Sequence, residues 1–237
     1  MKLNLVYAEI SFLIILLSTY TPCQTYNWMN EWNGGAGNNA IYHSSIMDGS
    51  GNYYLAGNIS FPGSGSSQTV AKFSSSGTFL WSRYFEPGGY SNSVLLALGP
   101  TGNIYVWTDR IVKIFTPGGD SVWQFTVNTS NHFAIHVTPL SEVILLDYWQ
   151  DTQTQKIGFH IAKHDSLGVR LWDNTFYEPA AGDNAAISSF KVGPDSCYYV
   201  TGYSARSGSS VIVTSKILQN GLVGWQKFFN RGATPSK

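Results

Sequence analysis

Charge is scarce in this chain. Only 12% of its 237 residues are Asp, Glu, Lys or Arg, and 14 basic residues balance 14 acidic ones. Sparse, balanced charge leaves no global field to draw a polyanion, so neither nucleic acid nor an anionic lipid surface is an expected partner. Cysteine is nearly absent too, with Cys23 and Cys197 the whole supply. A scaffold stapled by disulfides is therefore excluded. Cys197 reads as a small buried hydrophobe rather than a nucleophile. Helical periodicity is also missing. Past residue 23, nearly every apolar run is four to eight residues long, β-branched or aromatic, and bounded by Gly, Pro, Asn or Ser. That is the signature of short strands. What is abundant agrees: 15% aromatics and 24 glycines suit strands and tight turns.

Residues 1–23 differ from the rest. Lys2 gives a weakly basic start, and Ile10 to Leu17 (ISFLIILL) is an apolar core too short for a bilayer, which needs roughly 20 such residues. Thr21 and Cys23 occupy the small-residue positions of a cleavage site that leaves Gln24 as the new terminus. The segment reads as a secretory signal peptide, so the mature protein is expected outside the cell or at its surface, with no membrane span after cleavage. Pro22 fits poorly before a lipidated cysteine, so Cys23 is expected to leave with the signal rather than carry a lipid.

The remainder repeats. A lysine, a glycine and a tryptophan recur at Lys72, Gly77, Trp81; Lys113, Gly118, Trp123; Lys163, Gly168, Trp172; and Lys216, Gly221, Trp225. The second copy carries one extra residue, beside Gly119. Before each lysine comes a strand-like landmark: GNYYLAG from Gly51, GNIYVW from Gly102, SEVILL from Ser141 and SCYYVTG from Ser196. Trp28, followed by Trp32, looks like a further copy of the last strand alone. Successive tryptophans from Trp28 stand 53, 42, 49 and 53 residues apart, and four strands in 40 to 55 residues is the period of a propeller blade. The expected fold is all-β: about four complete four-stranded blades, near residues 36–86, 87–128, 129–177 and 178–231, plus the outer strand at Trp28. The glycine supplies the positive φ of a tight hairpin. The tryptophans are expected as core between adjacent sheets, and the lysines with their stems on apolar surface and their ammonium groups exposed.

The sequence of GNYYLAG followed by VAKFSSSGTFLW resembles the bacterial SBBP-type β-propeller repeats, whose units run as a GN-x-Y-V-x-G strand and a K-x-N-x-x-G-x-x-x-W hairpin. The resemblance covers about Trp28 to Phe229, is good in the first and fourth units, and weakens in the third, where Ser141 and Glu142 replace Gly-Asn. It implies a propeller in an exported bacterial protein and carries over no catalytic residues. The glycine-to-tryptophan hairpin is also similar to the tryptophan-docking repeats of quinoprotein dehydrogenases. Those need a dense quinone and calcium ligand set, which this sequence does not show, so no cofactor is expected.

The outer strand at Trp28 has no first three strands of its own, while the fourth unit already has an outer strand from Trp225 to Phe229. The expectation is that further blades of the same polypeptide complete a larger ring; a small four-bladed ring with a displaced first strand is the alternative.

Candidate chemistry is thin. His132 and His136, and His160 and His164, mimic metal spacing, but in strands four residues span about 13 Å, so no metal site is expected. DGSGN at Asp48 lacks the alternating ligands of a calcium loop and reads as a hairpin turn. Function on a propeller usually rides on the loops. Tyr90, Trp149, Asp151, Tyr177, Asp183, Tyr203 and Arg206 form a candidate rim for a glycan or an extended protein segment. The expected function is a secreted, non-catalytic binding or display module whose ligand the sequence does not name. The alternatives are a propeller-fold glycosidase or lyase, using Glu86, Glu178 or Asp183, or a spacer in a longer surface protein.

Overall fold

The computed structural model describes residue 35 and residues 37–63, 65–85, 93–128, 131–150, 157–177, 184–206 and 209–230. Contacts divide the chain into Met1–Asn30 and Glu31–Lys237, and everything described belongs to the second unit. The leader, Cys23 and the strand expected at Trp28 lie outside the described residues.

Among the described residues, sixteen strands make four sheets. The first holds β1 (Asn39–Met47), β2 (Tyr53–Phe61), β3 (Gly65–Phe73) and β4 (Phe79–Phe85); the second β5 (Val94–Leu98), β6 (Ile104–Thr108), β7 (Ile111–Phe115) and β8 (Ser121–Thr126). The third holds β9 (His132–Val137), β10 (Val143–Gln150), β11 (Ile157–His164) and β12 (Arg170–Tyr177); the fourth β13 (Asn184–Val192), β14 (Tyr198–Arg206), β15 (Ser209–Ile217) and β16 (Val223–Asn230). Each sheet is an antiparallel meander in chain order. The all-β propeller architecture expected from the repeat is what the chain adopts.

Alternation along each strand explains how the sheets stack. Ile144 and Leu146 join a buried cluster with Ile187, Tyr198 and Val200 of the fourth sheet. Their neighbours Val143 and Leu145 join Tyr105, Trp107 and Ile114 of the second. A third cluster joins Tyr54, Val70 and Phe85 to Leu96, Val106 and Phe115. Side chains of period two thus feed two different seams, and the inner sheets are buried on both faces.

Two hairpins per sheet are built alike. In the first sheet the Gly77 N–H donates to the Ser74 carbonyl and the Ser74 N–H to that of Thr78, with Gly77 at φ 82°. This is a tight turn closed by a left-handed residue and a bulge. The second sheet corrects the expected register: its left-handed glycine is Gly119, at φ 89°, and not Gly118. The glycine-to-tryptophan spacing of four is then kept in all four copies, and the extra residue falls between lysine and glycine. The strand register slips just after the residue opposite the repeat tryptophan in every sheet, at Lys72/Phe73, Ile114/Phe115, Lys163/His164 and Lys216/Ile217. That residue is the repeat lysine in three sheets and Ile114 in the second, and such bulges add twist. At the other hairpin, the left-handed place held by Gly51 and Gly102 is taken by Ser141 (φ 61°) and Ser196 (φ 58°).

Because each sheet is a four-strand meander, the β2–β3, β6–β7, β10–β11 and β14–β15 turns and the connections between sheets all leave from one end.

Candidate functional site

The repeat lysine, glycine and tryptophan form a clasp between consecutive sheets. The Trp81 indole N–H donates to the Pro117 carbonyl at 3.1 Å, that of Trp123 to Leu167 at 3.2 Å, and that of Trp172 to Gln219 at 3.1 Å. Each acceptor lies in the last hairpin turn of the next sheet. The turn glycine packs beneath: a Cβ on Gly119 would meet the Trp81 ring at 2.9 Å, and one on Gly221 the Trp172 ring at 2.6 Å. Side chains that grip the next sheet from its edge cannot be fully buried. Trp123 is 51% exposed, a correction to the expectation of core tryptophans. The lysines are corrected as well. Lys72 is buried, with its ammonium donating to the Pro117 carbonyl at 2.9 Å and lying 5.0 Å from the Tyr54 ring centre. Lys163 and Lys216 pair with Glu142 and Asp195 at 2.7 Å.

The seam between the second and third sheets holds the main cluster of titratable groups. Asp147 on β10 stands opposite His132 on β9 and opposite His160 on β11, so the three side chains form a row on one face. His160 Nδ1 donates to Asp147 Oδ1 at 2.8 Å, and its Nε2 lies 3.8 Å from Asp173 Oδ2, which Arg170 holds at 2.7 Å. Burial alone would lower the His160 pKa, but the hydrogen bond and charge of Asp147, with Asp173 behind, outweigh it and raise the pKa above its ordinary value. His132 behaves oppositely. It packs on Trp107 with ring centres 4.3 Å apart, its Nε2 donates to the Asp109 carbonyl, and burial lowers its pKa. Asp109, at the tight β6–β7 turn, is itself left-handed at φ 49°.

An Asp–His pair is the core of many general bases, but such a base needs a free nitrogen facing a nucleophile or substrate. Here both ring nitrogens of His160 face carboxylates. Asp147, His160 and Asp173 therefore act as an ionic tie across β10, β11 and β12, buried at its Asp147 end. Among the described residues, no group of three or more His, Cys, Asp or Glu side chains is arranged to hold a metal ion.

Among the described residues, the buried polar atoms without a hydrogen-bond partner are Gln68 Nε2, Thr69 Oγ1, Trp107 Nε1, Asp147 Oδ2, His164 Nδ1 and Ser204 Oγ. All but His164 and Thr69 lie in the half of the sheets nearest the end where the connections gather, and Thr69 sits near mid-strand.

The candidate rim comes out divided. Tyr90, Asp151 and Asp183 lie outside the described residues, as do Glu86 and Glu178. Trp149 and Arg206 are placed near the ends of β10 and β14, at the expected end of the sheets. Tyr203 is 46% exposed but stands opposite Ile212, on the outward face of the fourth sheet. Tyr177 is buried, with its ring centre 5.0 Å from that of Phe159, and so belongs to the core rather than a rim. The sequence reasoning missed Asp147. It carries no local signal, because its role arises only when strand register sets it between two histidines 28 residues apart in the chain.

No protein-family model matches the chain, and no curated protein does. Among solved structures, a Bacteroides caccae protein of unknown function is similar with a TM-score of 0.52 at 13% identity, over 82% of this chain and 69% of that one. At that identity the likeness is one of fold alone. The β-propeller domain of the Trilobed protease from Pyrococcus furiosus aligns at 7% identity and TM-score 0.38, over 82% of this chain and 69% of its own. The WD40 domain of SCAP from fission yeast aligns at 8% and 0.29, over 80% and 75%.

Proposed function

We propose that this chain is an exported, non-catalytic β-propeller scaffold that binds or displays a glycan or protein ligand at the end where its connections gather. One observation carries the reading: the unpartnered buried polar atoms of Gln68, Trp107, Asp147 and Ser204 collect toward that end. Buried polar groups are normally satisfied, so such a concentration marks where bound water or a ligand completes the network. The pairing of His160 with Asp147, and the Asp173 carboxylate beyond it, gives this histidine a structural role and supports binding over catalysis. Export rests on the leader-like residues 1–23 and on the resemblance to SBBP-type repeats.

The test is a glycan array and a cell-surface pull-down with the secreted protein, set against Trp149→Ala and Arg206→Ala variants, both near the strand ends where the connections gather. The reading expects saturable binding that falls at least tenfold in the variants while the far-ultraviolet dichroism is unchanged. Binding that survives both changes would remove the rim from the site. Turnover of a bound glycan would overturn the non-catalytic reading.

A further inference from the structure

The outward face of the fourth sheet repeats the strand register, and the Tyr, Lys, Trp and Phe positions, of a face that elsewhere in the molecule is covered. In the first sheet Tyr54 stands opposite Lys72, Lys72 opposite Trp81, and Gln68 opposite Phe85. In the fourth, Tyr199 stands opposite Lys216, Lys216 opposite Trp225, and Ile212 opposite Phe229. The geometry agrees as well as the register. Tyr54 and Trp81 meet edge-on with ring centres 6.1 Å apart at 62°, and Tyr199 and Trp225 at 6.3 Å and 62°. Lys72 lies 5.0 Å above its tyrosine and Lys216 5.6 Å above its own.

Burial is where the two faces part. Tyr54, Gln68, Lys72 and Phe85 are between 0% and 8% exposed beneath the second sheet. Ile212, Trp225 and Phe229 are 46%, 39% and 63% exposed, with Tyr203 beside them at 46%. Three tryptophans give their indole N–H to a turn of the following sheet. Among the described residues that of Trp225 has no acceptor. A contiguous aromatic and aliphatic face of this kind marks an interaction site.

We propose that this face is the docking surface for one further four-stranded blade of the same repeat, carried by the same polypeptide. The incoming blade places the carbonyl of its last hairpin turn on the Trp225 indole N–H, sets a left-handed glycine beneath the ring, and lays apolar strands over Ile212 and Phe229. Continuity with the three internal seams selects this occupant. Each seam uses the same indole-to-turn hydrogen bond, and the fourth face holds Tyr199 and Trp225 in the geometry of the covered Tyr54–Trp81 pair. A flat ligand would have no reason to find the Lys–Tyr–Trp arrangement that the first sheet reserves for a neighbouring turn.

The test places a photoreactive benzoylphenylalanine at Phe229 in the protein made from its own gene in its source cells, and identifies the cross-linked peptide by mass spectrometry. The expected product is an internal cross-link to a peptide outside residues 35–230 that contains a repeat hairpin glycine. A cross-link into residues 35–230 of a second copy, one to an unrelated polypeptide, or none at all would overturn the proposal. A milder variant gives an independent reading. Trp225→Phe keeps the ring and removes the donor, and in the same native product it should lower the Tm by about 2–4 °C, as Trp172→Phe should. An unchanged Tm for Trp225→Phe beside a lowered one for Trp172→Phe would also overturn it.

Discussion

The indole nitrogen of Trp172 reaches across 47 residues of chain to the backbone carbonyl of Gln219, 3.1 Å away, and the glycine that makes this approach feasible is Gly221. At φ 85° it combines two demands, a left-handed backbone and no side chain under the ring.

Those demands separate by substitution. Gly63→Ala meets only the first, since Gly63 is at φ 77° with nothing within 4 Å of an added Cβ. It should cost about 1 kcal/mol. Gly221→Ala meets both and should cost at least about 2–3 kcal/mol, measured as a shift of the urea midpoint. Equal costs would mean that the ring moves freely aside.

Ser141 and Ser196 occupy left-handed positions that two sister turns give to glycine. A left-handed side-chain-bearing residue costs roughly 1–2 kcal/mol, partly offset by the extra freedom glycine brings to the unfolded chain. Ser196→Gly should therefore stabilise the protein by about 0.5–1 kcal/mol, raising the denaturation midpoint. Destabilisation would show that the serine hydroxyl supports the turn.

Acid should act on the histidines in opposite senses. His160 has a raised folded pKa, so its contribution is complete below the unfolded value of about 6.5 and is lost as pH rises through the folded one. Burial lowers the pKa of His132, His136 and His164, so each destabilises the fold as pH falls below about 6.5. His160→Leu should cost about 3 kcal/mol at pH 6, because it strands the buried Asp147 carboxylate, and less at pH 9. Its stability should also fall more steeply on acidification than that of the unaltered protein. Denaturant titrations at both pH values decide this.

Cys197 is buried, and burial raises its thiol pKa, with Asp195 adding to the effect. Thiolate is the reactive form, so native protein should resist labelling at this position for hours while unfolded protein reacts within minutes. Peptide mass mapping reports the site. Rapid native labelling would mean that the start of β14 opens readily.

Much of the architecture was legible because a blade repeat writes its period into the sequence. The Gly-to-Trp interval and the strand landmark before each lysine predicted four four-stranded sheets, and the resemblance to SBBP-type repeats pointed the same way. What escaped was whatever depends on register and on neighbours. Trp123 reads as core from its size, yet it lies on the edge of a seam because its partner is a turn. Gly118 and Gly119 are indistinguishable in sequence, and only the backbone shows which is left-handed. Tyr177 looked like a loop aromatic but ends a strand whose last side chains turn inward. Asp147 became visible only once β9, β10 and β11 were aligned.

The clasp also has a consequence for how the chain folds. Trp81, Trp123 and Trp172 find their acceptors 36, 44 and 47 residues downstream, each in the adjacent sheet. The entropy of closing such a loop depends only weakly on its length, so every seam faces nearly the same closure cost. Folding can then spread from sheet to neighbouring sheet as in a linear lattice with nearest-neighbour coupling. Stability in such a lattice grows with the number of seams rather than with the number of sheets.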